Sequence, residues 1–176
     1  MIQKITQSTY ETCLACCLLQ AVDRIKPVKI SRKLELDCII HSMKFSKADF
    51  VIGHLDFIAK KFNVNIKRIV DSEQFYGHVN KIKSSKKIKT EVHKIDLNLL
   101  DSLLPKSPIL YIDSYYLHKY CHYPHFVTVL EYSSSKYTIF DTWDGKEKPI
   151  ESRVLSRSIS SLRNHIKLCP QIITIK

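Results

Sequence analysis

The spacing of apolar residues changes from helical to alternating about two thirds of the way along this chain, and that change limits the folds open to it. From 13 to 25 the residues Leu14, Cys17, Leu18, Ala21, Val22 and Ile25 recur at helical spacing on one face. Thr12 stands where an N-cap belongs, Glu11 adds negative charge beside the first turn, and Pro27 marks the end. Helices are also predicted over 33–43 and 48–62. The second carries the stripe Phe50, Val51, Leu55, Ile58, Ala59 and Phe62. A short strand over 64–70 follows, with a helix near 73–79 in a stretch of weak periodicity and another over 96–104 closed by Pro105. From 108 onward the pattern is of strands: 108–113, 125–132, 136–141 and 170–175, the middle two joined by a turn at 133–135 as a hairpin. Helices first and a sheet afterwards predict an α+β domain, with a helical half over about 1–105 and a sheet half over about 106–176.

At 176 residues the chain fits one domain, and no Gly/Ser-rich or Pro-rich stretch divides it. Only 3 glycines are present, which disfavours folds built on glycine turns or a glycine-rich phosphate loop. The net charge of +11 attracts polyanions, but the basic residues are scattered. The densest cluster, Lys81, Lys83, Lys86, Lys87 and Lys89, lacks the interleaved aromatics that stack on bases, so nucleic acid is not the expected partner. The first residues show no apolar signal core, and no run approaches the ~20 apolar residues that span a bilayer. A cytoplasmic protein without a membrane span is expected. The six cysteines, Cys13, Cys16, Cys17, Cys38, Cys121 and Cys169, have no disulfide-framework spacing and read as buried small residues plus one reactive thiol.

A thiol works as a nucleophile when it is held as thiolate, which a helix N-terminus and a neighbouring imidazole both favour. A carboxylate behind the imidazole fixes its tautomer, and amide donors stabilise the oxyanion of acyl transfer. Cys13 opens the first helix. His125 begins a strand just after Pro124, and Asp141 ends the next strand across a tight turn, so the two can lie side by side in the hairpin. Gln7, upstream of Cys13, can swing a side-chain amide back toward the thiol.

The run Gln7-Ser-Thr-Tyr-Glu-Thr-Cys13-Leu-Ala-Cys16-Cys17-Leu resembles the nucleophile motif of the bacteriocin-processing, double-glycine leader peptidase family and its stand-alone relatives. His125-Phe-Val-Thr-Val-Leu and Tyr137-Thr-Ile-Phe-Asp141 are similar to that family's histidine strand and aspartate-ending strand. Leu55-Asp-Phe-Ile-Ala59-Lys-Lys-Phe and Pro108-Ile-Leu-Tyr-Ile are similar to its intervening helix and the strand before the histidine. The resemblance implies a papain-like cysteine peptidase fold, with the nucleophile on the helical half and an antiparallel sheet carrying His and Asp. It implies Cys13 as nucleophile, His125 as base then acid, Asp141 as orienter, Gln7 with the Cys13 amide as oxyanion donors, and a peptide or protein substrate. The aromatic loop 114–123 would form the rim of the cleft. Two positions depart from the family, which has Asp before and Gly after the cysteine where this chain has Thr12 and Leu14, and no transporter segments are present.

Three other readings use the same residues. His118, Cys121, His122 and His125 lie close together and are zinc-ligand types, but the second pair of ligands that a zinc knuckle needs is missing, so no metal or other cofactor is expected. Transglutaminases and arylamine acetyltransferases also place Cys, His and Asp in this order, which leaves acyl transfer or amidase chemistry open. A peptidase-like module that binds a peptide without cutting it is the third. Trp143, the sole tryptophan, is expected either against the hairpin or in a surface turn.

Overall fold

The computed structural model describes residues 3, 5–45 and 49–176. Helix α1 (Cys13–Ile25) is buried at every position from Cys13 to Val22, so it is the central helix rather than an amphipathic surface one. Thr12 does occupy its N-cap position, but the hydroxyl does not cap. It donates to the Thr9 carbonyl at 3.0 Å and accepts from the Thr9 amide at 3.2 Å, closing a small turn instead. Helix α2 (Arg32–Ser42) is capped by Ser31, and α3 (Phe50–Phe62) by Asp49, whose carboxylate accepts from the Val51 amide at 3.1 Å. Residue 48, where the third helix was predicted to start, lies outside the described residues, as do positions 1, 2 and 4 of the N-terminal stretch. Gly53 lets α2 and α3 touch backbone to backbone, since a Cβ there would lie 2.6 Å from Ser42 Cα.

The remaining elements are β1 (Ile66–Val70), α4 (Glu73–Val79), β2 (Ile88–Val92), α5 (Leu97–Leu103), β3 (Ile109–Asp113), α6 (Tyr115–His118), β4 (Pro124–Ser133), β5 (Lys136–Asp141), β6 (Lys146–Glu151), α7 (Ser152–Asn164) and β7 (Gln171–Ile175). The strands form one seven-stranded sheet in the order β2-β1-β7-β3-β4-β5-β6. Alternation along the strands assigns their side chains to two cores. Ile109, Phe126, Ile173 and Ile175 pack against α1, α2 and α3. Leu110, Ile112, Val127, Val129 and Ile172 pack on the other face with Leu100 and Leu103 of α5 and Leu155 and Ile159 of α7. The β4–β5 turn is made by Ser134 and Ser135, both left-handed at φ 49° and 62°, the two-residue geometry that matches strand twist.

The α+β class is as expected, but the sheet is mixed rather than antiparallel and is not confined to the C-terminal half. β1 and β2 pair in parallel, because α4 crosses over between them. Helix α6 interrupts the aromatic loop. β6 and α7 occupy a region whose apolar period is weak, since β6 is an edge strand of mostly exposed polar residues. The buried face of α7 interleaves Leu155, Ile159 and Leu162 with the hydroxyls Ser158 and Ser161. Among the described residues, no helix is long and apolar enough to cross a membrane.

Candidate active site

Cys13, at the first turn of α1, is brought to the start of β4, where His125 is 3% exposed. The His125 Nε2 atom and the Asp141 Oδ1 atom are 2.8 Å apart. This uses Nε2, and the Cys13 thiol acts on the same imidazole from its other side as one of the groups that raise it. β4 and β5 are antiparallel neighbours, and positions 125, 127, 139 and 141 share one face of the pair, which is why two residues sixteen apart in sequence meet.

Asp141 is fully buried and has several partners. Its Oδ1 also accepts from the Trp143 amide at 2.9 Å, and Oδ2 accepts from Lys148 Nζ at 2.7 Å. His118 Nε2 lies 3.1 Å from the same Oδ2. Burial alone would raise the Asp141 carboxyl, but the His125 bond and charge, Lys148 and the Trp143 amide outweigh it and hold it well below its ordinary range. Burial would likewise lower His125. The bonds to Asp141 and Cys13 prevail and raise it to about 9. His118 moves the other way: burial lowers it, with Lys148 and His125 adding to that and Asp141 opposing it.

Gln7 is brought to the same end of the sheet. Its backbone amide donates to the Thr142 carbonyl at 2.8 Å, and its Oε1 accepts from the Thr142 hydroxyl at 2.9 Å. One hydrogen of its Nε2 goes to the Thr9 carbonyl at 2.9 Å. The side chain therefore clasps the turn after Asp141 and retains a second Nε2 hydrogen.

Two adjoining cavities flank Cys13 and His125. One of about 450 Å³ is lined by Cys13, Leu14, Phe50, Phe75, Tyr111 and Phe126, among others. Its polar wall includes Asp49, which pairs with the fully buried Arg68, itself bonded to Gln171 Oε1 at 2.8 Å. The other, of about 400 Å³, is lined by His125 with His118, Tyr120, Cys121, Tyr123 and Trp143. Tyr10 and Tyr123 belong to both, so the cavities adjoin at these rings, with Cys13 lining the first and His125 the second. Leu14 is buried in the helical core as well as forming part of the first wall. Trp143 stands edge-on to Tyr10 with ring centres 4.9 Å apart, and lines the histidine-side cavity while remaining 37% exposed.

The four metal-type residues of the aromatic loop do not assemble. His122 Nδ1 bonds the buried Asp113 at 2.6 Å, Cys121 is exposed, and only His118 and His125 approach each other, around Asp141. All six cysteines are free thiols. Lys148 is the site residue that sequence patterning does not single out, and His118 stands out in the sequence as a zinc-ligand type rather than as a neighbour of Asp141. The Asp144-Gly145 pair, a hairpin signal, is the one cue that would have brought Lys148 back beside Asp141. No protein-family model matches the sequence, and no curated protein matches it.

Proposed function

We propose that this chain is a papain-like cysteine peptidase, acting through Cys13, His125 and Asp141. The observation that carries the reading is the buried imidazole of His125, bonded to the Asp141 carboxylate and raised by both that carboxylate and the Cys13 thiol. An imidazole raised to about 9 keeps its proton at neutral pH, and that proton is the counter-charge of a Cys13 thiolate.

In the first half-reaction the thiolate attacks the peptide carbonyl carbon, forming the C–S bond and an oxyanion. The α1 N-terminus, left without a side-chain cap, offers the Cys13 amide to that oxyanion, and the free Nε2 hydrogen of Gln7 is the second donor. His125 gives its proton to the leaving nitrogen, the C–N bond breaks, and a thioester remains. Water then attacks the thioester, His125 takes its proton, and the thiol is released with the acid product. Because the imidazole is the proton donor, the departing amine belongs on the Trp143 side and the acyl portion on the Leu14 side.

The test is incubation of the protein with a proteome-derived peptide mixture, with new termini read by mass spectrometry. The expected result is a set of cleavages absent from Cys13→Ala. Amide products formed with an added amine, and no new carboxyl termini, would replace hydrolysis by acyl transfer on the same triad. No product of either kind would leave a binding module.

A further inference from the structure

Three ligand-type atoms converge behind the nucleophile. His118 Nε2 is 3.1 Å from Asp141 Oδ2, His125 Nε2 is 2.8 Å from Asp141 Oδ1, and the three donor groups all lie within 4.8 Å of one another. A tetrahedral zinc ion with bonds of 2.0–2.1 Å needs ligand atoms about 3.3 Å apart, so these spacings require only small side-chain shifts. His118 Nε2 is buried yet accepts and donates no hydrogen bond, although it faces a carboxylate oxygen.

We propose that His118, His125 and Asp141 form an inhibitory site for Zn²⁺, with the fourth position open to the cavity lined by Tyr120 and Trp143. The ion would replace the Nε2 proton that His125 shares with Asp141, and that proton would pass to water. Lys148 need not leave as a free charge, because it also holds Asp144 at 2.9 Å. With the metal on Nε2, the ring can give up its remaining Nδ1 proton only by becoming a zinc-bound imidazolate, so it is a poor acid toward a leaving group. Binding of the metal is independent of the peptidase reading, whereas the loss of activity rests on it.

The site differs from the usual thiolate capture of zinc, because no sulfur is a ligand. Zinc titrated into the reduced, metal-free full chain and followed by calorimetry should show one tight site, with affinity lowered at least tenfold in His118→Ala and retained in Cys13→Ala. X-ray absorption of the wild-type complex should give a shell of nitrogen and oxygen near 2.0 Å with no sulfur near 2.3 Å. That measurement stands even if His118→Ala folds poorly. A sulfur shell, unchanged affinity in His118→Ala, or no tight site would each overturn the proposal. Zinc should also slow iodoacetamide labelling of Cys13 relative to the metal-free rate of the same protein, and His118→Ala should be insensitive. A metal-free protein without selective Cys13 labelling would defeat the peptidase reading while leaving the metal site intact.

Discussion

At the residue scale, His125 holds the site together, since the thiol and the carboxylate meet only through its ring. Asp141 should therefore act through the imidazole rather than by touching substrate. Asp141→Asn keeps an acceptor for Nε2 but removes the charge that raises His125, so the thiolate loses its counter-ion. The expected outcome is Cys13 alkylation at pH 6 slowed by on the order of 10–100-fold, with less loss at pH 9. Equal rates at both pH values in wild type and variant would show that Asp141 has no such role. Cys13, His125 and Asp141 were legible because a helix start, a strand start and a strand end are each marked by local pattern. Lys148 was not, because it reaches Asp141 from a polar edge strand that does not announce itself in apolar period, and His118 is legible as a zinc-ligand type without its place beside Asp141. Gln7 reaches the turn after Asp141, and its clasp on Thr142 depends on a turn conformation that residue types alone do not specify.

At the element scale, the cleft wall depends on two contacts of different kinds. The α2–α3 contact is steric. Gly53→Ala would press a Cβ to within 2.6 Å of the Ser42 backbone, so the helices must separate. A loss of about 1–3 kcal/mol in urea unfolding is expected, although alanine is the better helix former. The second contact is electrostatic. Arg68 is fully buried and ties the cap of α3 to Gln171 of β7 through Asp49. Asp49→Asn leaves that guanidinium without its counter-charge and should cost about 3–5 kcal/mol, whereas the double change Asp49→Asn with Arg68→Met should recover part of the loss. A fully additive double mutant would contradict the pairing. The stripes of α1 and α3 and the β4–β5 hairpin were readable from spacing. The α7 helix was hidden because Ser158 and Ser161 are buried through hydrogen bonds to Asp113 and not through apolarity. β6 is a polar edge strand containing Pro149, a residue type tolerated at edges.

At the scale of the whole molecule, helices cover both faces of one sheet, and the proposed nucleophile, Cys13, starts a helix that is buried from Cys13 to Val22. Cys13, His125 and Asp141 thus come from both parts of the fold, and the titration of His125 and Asp141 should be felt as stability. His125 is raised from about 6.5 to about 9 on folding, so its contribution is fully present below pH 6.5 and is lost as pH rises through 9. The Asp141 carboxyl is lowered, so its share is present above about pH 4 and is lost as pH falls below that. The melting temperature should therefore fall by several degrees between pH 6.5 and 9.5, and His125→Ala should lack that component of the fall. The most direct measurement of the central claim is the rate of iodoacetamide labelling at each cysteine, by mass spectrometry, from pH 5 to 9.5 on wild type and His125→Ala. A thiolate–imidazolium pair predicts that Cys13 is labelled selectively well below the ordinary thiol pKa of ~8.5, and that the His125 change abolishes this selectivity. Labelling of Cys13 that follows the ordinary thiol curve in both proteins would contradict it.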